Sequence, residues 1–179
     1  MHKKILIAVP IMVLMLALVA FSQPQQQARP PLSPPGHTEV TLNGKKITID
    51  YSRPSMRGRK IMGGLVPYGQ VWRTGANAAT TLTTEADLDI GGTNVPAGKY
   101  TLYSLPTEDS WKLIISKQTG QWGTEYHEDQ DLARVAMERS QLPQSQEQFT
   151  ISLASTGDKS ASLVMEWENT RLRVPVTVK

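Results

Sequence analysis

From Thr38 to the end of the chain, apolar residues mostly alternate with polar ones instead of recurring every third or fourth position, and β-branched residues are abundant. A period of two is the signature of strands with one buried face. Val40 and Leu42 share a face, Asn43-Gly44 supplies the positive backbone dihedrals of a tight turn, and Ile47, Ile49 and Tyr51 line one face of the return strand. That pattern predicts a β-hairpin. Further strands are predicted over residues 70–74, 80–84, 87–90, 100–105, 111–117, 148–154, 160–167 and 171–178, separated by Gly, Pro, Asp and Ser. Roughly nine short strands at this spacing predict an all-β fold, a single antiparallel β-sandwich of jelly-roll type with little or no helix. Leu163, Met165 and Trp167 are odd-numbered whereas Leu172, Val174, Val176 and Val178 are even, so the apolar face flips and residues 168–171 must hold a bulge or a turn. Residues 129–138 read two ways. Leu, Ala, Met, Arg and Glu there favour helix by propensity, yet Ala133, Val135 and Met137 also alternate.

The amino terminus follows a different pattern. Met1-His2-Lys3-Lys4 precedes an uncharged apolar run over residues 5–21, and Ala20 and Ser22 place small residues before Gln23. This is the pattern of a secretory signal peptide over residues 1–22. The run also reaches the lower limit of a spanning helix, roughly 17 residues, so an uncleaved inner-membrane anchor is the alternative. Pro10 inside the run weighs against a stable spanning helix. Either way the remainder is exported, periplasmic or secreted, because the lysines stay on the cytoplasmic side. Membrane contact is expected only through this segment. Residues 23–37 are rich in Pro and Gln with almost nothing apolar to bury, which predicts an extended, solvated linker. That leaves residues 38–179 as one folded domain.

Composition narrows the function classes. The net charge of +3 includes Lys3 and Lys4, so the exported part is close to neutral and a nucleic-acid partner is not expected. The absence of cysteine excludes disulfides, thiolate nucleophiles and cysteine-based metal sites. No nucleophile elbow, phosphate-binding loop or dinucleotide fingerprint is present. No cofactor is implied.

Several blocks carry a resemblance. Asp50-Tyr51-Ser52-Arg53-Pro54-Ser55, Arg57-Gly58-Arg59-Lys60-Ile61-Met62-Gly63-Gly64-Leu65-Val66-Pro67-Tyr68-Gly69 and Val71-Trp72-Arg73-Thr74-Gly75-Ala76-Asn77 are followed in order by Pro96-Ala97-Gly98-Lys99-Tyr100-Thr101-Leu102-Tyr103, Gln121-Trp122-Gly123 and Leu163-Val164-Met165-Glu166-Trp167-Glu168-Asn169-Thr170. Together they resemble the bacterial family of exported proteins known as DUF2911, a domain of unknown function. The resemblance implies an exported, mostly β protein with no established activity. It also implies a strand over residues 132–137, against propensity. It brings no catalytic assignment.

Candidate chemistry therefore rests on the residues themselves. Arg53, Arg57, Arg59, Lys60 and Arg73 crowd one stretch that contains no acidic residue, with several glycines and with Tyr68 and Trp72 interleaved. Guanidinium forks suit carboxylate, phosphate or sulfate, and aromatic faces suit a sugar ring. The expectation is a non-catalytic binding module for a small anionic or carbohydrate ligand or an envelope partner. Arg53, Arg59 and Arg73 would supply charge, Tyr68 and Trp72 a stacking face, and Asn77 orientation. The structural alternative pairs these arginines with Asp50, Glu166 and Glu168 across the sheet. A second class is an envelope hydrolase: Glu166 and Glu168 flank Trp167 and would project about 7 Å apart from one face, a separation compatible with paired-carboxylate chemistry. Glu125, His127 and Asp129 lie in a stretch that begins like a zinc-protease motif, but Asp131 stands where the second histidine belongs. An acidic loop without metal is the default there. A structural or assembly module of the envelope is the third class.

Overall fold

The computed structural model describes residues 32–179, so the expected signal or anchor and the linker as far as residue 31 lie outside the described residues. Alternation becomes nine strands: β1 (Pro35–Leu42), β2 (Lys45–Ser52), β3 (Thr80–Thr84), β4 (Leu88–Ile90), β5 (Thr93–Val95), β6 (Gly98–Pro106), β7 (Trp111–Ser116), β8 (Asp131–Gly157) and β9 (Ser160–Val178). Every pairing is antiparallel. The strands form one sheet in the order β1-β2-β3-β6-β7-β8-β9-β4-β5. A three-residue 3-10 turn, Glu128–Gln130, is the only helical element among the described residues. The described residues are all-β, as the periodicity predicts.

Local chemistry explains the elements. Asn43 and Gly44 have φ of 49° and 73°, the left-handed pair that a two-residue hairpin between β1 and β2 needs. Residues 132–137 are strand, not helix, because Val135 and Met137 sit opposite Leu113 and Trp111 of β7 and are buried there. Tertiary pairing overrides propensity at this point. In β9 the predicted flip occurs at Glu168, a bulge residue with φ of 53°. Leu163, Met165 and Trp167 before it and Leu172, Val174, Val176 and Val178 after it all point into the core.

Two sequence expectations are corrected. Residues 70–74 are not a strand; Trp72 makes one isolated bridge to Ser104, and the left-handed backbone at Gly69 and Thr74 prevents further extension. Residues 139–147, which show no alternation, are part of β8. They are mostly exposed, so no periodic burial marks them. Strand β5 was likewise not expected; its three residues are too few to show a period.

β8 and β9 change partners midway. β8 pairs with β7 as far as Met137 and with β9 from Glu138, and β9 passes to β4 at Val176. Beyond Met137 none of the nine strands pairs with the edge of β8 that β7 vacates. Buried backbone groups must still find partners, and here they find other segments and side chains. Met56 N–H donates to the Glu147 carbonyl at 2.8 Å, and Phe149 N–H donates to the Pro54 carbonyl at 2.9 Å. Arg53 Nε donates to the Phe149 carbonyl at 3.3 Å. The Tyr51 hydroxyl accepts from Ile151 N–H at 2.9 Å and donates to its carbonyl at 3.2 Å. Thr38 Oγ1 accepts from Leu153 N–H at 3.2 Å. Residues of β1, β2 and the segment that follows β2 thus stand where a strand would lie, and one continuous core forms that contains Ile47, Ile49, Leu82, Leu102, Leu113, Ile151, Met165 and Trp167.

Replacing Tyr51 by Phe keeps the ring against Phe149 but leaves both polar groups of Ile151 unpartnered in the core. The expected cost is about 1–3 kcal/mol, read as a lower denaturant midpoint at constant slope. An unchanged midpoint would show that the hydroxyl does not close this edge.

Candidate functional site

The long segment between β2 and β3 is anchored at each step. Residues 55–56 run beside β8 through the Ser55–Gln148 bridge. Ile61 and Val66 then turn inward and are fully buried. Their turn is closed by Val66 N–H to the Ile61 carbonyl at 2.9 Å. The Glu168 carboxylate grips this turn from the β9 bulge, accepting Ile61 N–H on Oε1 and Met62 N–H on Oε2, each at 3.1 Å. The chain returns along β6, where Trp72 and Ser104 exchange backbone hydrogen bonds at 2.8 and 2.9 Å. The Trp72 indole stacks on Trp167 at 5.8 Å between centroids and meets Phe149 edge-on at 5.0 Å.

A second segment, residues 117–130, covers the other face of β6 and β7. Side chains alternate along a strand, so Tyr103 faces away from Tyr100 and Leu102, beside Ile114, its partner on β7. The covering segment is held by polar bonds as well as by aromatic contact. Gln121 Nε2 donates to the hydroxyls of Thr101 and Tyr103, both at 3.1 Å, and the Tyr103 hydroxyl donates to the Glu125 carbonyl at 2.7 Å. Gly123 is needed where the two segments meet. Its N–H donates to the Asn77 carbonyl at 3.0 Å, and an added Cβ would stand 2.7 Å from that oxygen and 2.9 Å from Arg73 Cδ.

Between the two segments lies an open cleft of about 410 Å³, whose lining includes Arg59, Trp72, Arg73, Tyr103, Tyr126 and Trp167. Both arginines are held by carbonyls of their own segment. Arg59 Nε donates to the Met56 carbonyl at 2.9 Å and its Nη2 to that of Ser55 at 2.7 Å. Arg73 Nε donates to the Gly75 carbonyl at 3.3 Å. No Asp or Glu lines the cleft, and neither arginine joins an ion pair among the described residues.

Of the residues singled out from the sequence, Arg59, Trp72 and Arg73 meet here. The others do not line the cleft. Arg53 is bound to β8, its Nη2 donating to Thr150 Oγ1 at 3.0 Å. Tyr68 packs over Gly63 against the core. Asn77 has φ of 59° and contributes its backbone carbonyl to Gly123. The expected carboxylate partners for the arginines are elsewhere: Asp50 pairs with His37 at 2.8 Å, Glu166 with Arg171 at 2.6 Å, and Glu168 with backbone. Among the described residues no group of His, Asp and Glu is placed to hold a metal. Glu125 gives its carbonyl to Tyr103, His127 precedes the 3-10 turn, and Asp129 accepts from Gln130 at 3.1 Å.

Tyr103, Tyr126 and Trp167 were not singled out as site residues from the sequence. A signal for Tyr103 exists, because residues 100–104 contain no charged side chain on either face, the mark of a strand covered on both sides. Tyr126 lies over Tyr103 at 5.0 Å, edge to face. Its hydroxyl donates to Asp131 Oδ2 at 2.7 Å and accepts from Arg134 Nη2 at 2.8 Å. Burial, reinforced by Asp131, pushes the Tyr126 phenol up from its ordinary 10 to about 12. Burial also raises Tyr103.

A family model described as "Protein of unknown function (DUF2911)" matches residues 33–176. No curated protein and no solved structure matches the chain.

Two outcomes follow from this geometry. Because the folded protein holds the Tyr126 proton more tightly than the unfolded chain does, the stabilisation is fully present below pH 10 and is lost as the pH rises toward 12. The melting temperature should fall over that window, and less steeply in Tyr126→Phe; equal slopes would remove Tyr126 as the cause. Glu168→Gln places an amide NH₂ against one of two backbone N–H donors and should cost about 1–3 kcal/mol in chemical denaturation. Stability equal to that of the parent would mean the carboxylate does not hold the turn.

Proposed function

Since the chain belongs to the DUF2911 family, whose description names no activity, we propose on the strength of the cleft that it is a binding module for a small ring-bearing anion. The observation that carries this reading is the pair Arg59 and Arg73, two guanidiniums lining one cleft with no carboxylate beside them. Each is positioned by hydrogen bonds to its own loop. Preorganised forks of this kind lose little freedom when they close on an oxyanion. Trp72 and Tyr126 offer apolar surface for the ring, and a volume of about 410 Å³ falls within the usual range of small-molecule sites, roughly 300–1,000 Å³. Binding is favoured over carboxylate hydrolysis because Glu166 and Glu168 are engaged with Arg171 and the residue 61–62 backbone. An exported location for the module is supported by the apolar run at residues 5–21 after Lys3 and Lys4.

Thermal unfolding against a panel of aromatic and sugar carboxylates, phosphates and sulfates tests the proposal. A ligand that prefers the folded state adds about 2.7 kcal/mol of stability at a hundredfold excess over its Kd. A shift abolished by Arg73→Ala is the expected result. A panel without a shift, or a shift that survives Arg73→Ala, would overturn it.

A further inference from the structure

A smaller hollow of about 160 Å³ adjoins the cleft and is lined by Leu32, Ser33, Ser55, Arg57 and Arg59. Ser33 and Arg59 line both spaces, so the two are contiguous. The hollow again has no acidic lining residue. Arg57 and Gly58, with φ of 51° and 72°, form the centre of a tight turn closed by Arg59 N–H to the Met56 carbonyl at 3.1 Å, and Glu147 Oε1 accepts the Arg57 N–H at 2.9 Å. The guanidinium is fixed separately, by Nη2 donation to the Leu32 carbonyl at 3.0 Å. The hydroxyls of Ser33 and Ser55 make no hydrogen bond among the described residues, and Arg57 and Arg59 each keep N–H groups beyond those they donate to carbonyls.

We propose that this hollow takes the tetrahedral oxyanion of a phosphate or sulfate monoester whose ring occupies the neighbouring cleft. The inference rests on the binding reading above and deepens it by naming the ligand class. Two guanidiniums and two hydroxyls from separate segments offer more donors than the two oxygens of a carboxylate accept, and they suit a group with three terminal oxygens. Arg59, shared by both spaces, stands at the ester junction. Arg73 faces the cleft alone.

Calorimetric titration of the full-length chain with phenyl phosphate, phenyl sulfate, benzoate, orthophosphate and sulfate tests this. At least one ester should bind about tenfold tighter than benzoate and than either inorganic ion. The preferred ester distinguishes phosphate from sulfate. Arg57→Asn, which removes the guanidinium but tolerates the left-handed backbone, should abolish the ester preference and leave benzoate affinity and melting temperature unchanged. Esters no tighter than benzoate, a preference that survives Arg57→Asn, or inorganic ion binding as tight as the ester would each overturn the inference. Benzoate binding that depends on Arg73 in those cases would leave the broader reading standing. Failure of every probe, and of the sugar anions in the thermal panel, to bind would remove both.

Discussion

An edge of β8 left without a partner strand is the constraint from which the rest of the architecture follows. Where β7 ends, the backbone from Glu147 to Leu153 turns polar groups toward space that no strand occupies, and the chain satisfies them with Thr38, Tyr51, Arg53, Pro54 and Met56. That closure draws β1 and β2 to β8. It also fixes where residues 53–77 leave the sheet, because the first residues of that segment serve as partners for β8. A loop of this length, free at both ends, would lose considerable entropy on ordering; anchored residue by residue, it becomes a wall.

The bulge at Glu168 couples this wall to β9. A left-handed residue lets Trp167 and Leu172 both face the core despite their opposite parity. It also aims a carboxylate at the turn that carries Ile61 and Met62. One residue thus corrects the register of a strand and clamps the loop that passes over it. Trp167, next to it, supplies the surface on which Trp72 stacks and so sets the floor of the cleft.

The opposite wall depends on polar contacts to a second sheet face. Thr101 and Tyr103 on β6 present hydroxyls where an exposed strand would present charge, and Gln121 and the Glu125 carbonyl meet them. The two walls touch through Gly123, whose lack of a side chain admits both the Asn77 carbonyl and Arg73. The charge that gives the cleft its chemical character is thereby held in a narrow crossing between two loops.

Much of this was readable from residue order. Alternation, the Asn43-Gly44 turn and the parity change near Glu168 are short-range steric facts, carried by neighbours a few residues apart, and the sequence by itself determined the all-β class, the first hairpin and the bulge. It also marked the arginine-rich stretch and, within it, Arg59, Trp72 and Arg73. Only the tertiary structure decided which arginines serve structure and which face the cleft. Arg53 and Arg73 look alike in sequence, yet Arg53 lies beside a β8 backbone 96 residues away and is consumed there, whereas Arg73 hydrogen-bonds within its own loop. The pairing of Glu166 with Arg171 follows from their closeness on one strand, but the tyrosines at 103 and 126 and the grip of Glu168 on the residue 61–62 backbone were hidden for the same reason. A polar side chain takes whatever partner chain pairing brings within about 3 Å, and pairing between distant segments is not written in local periodicity.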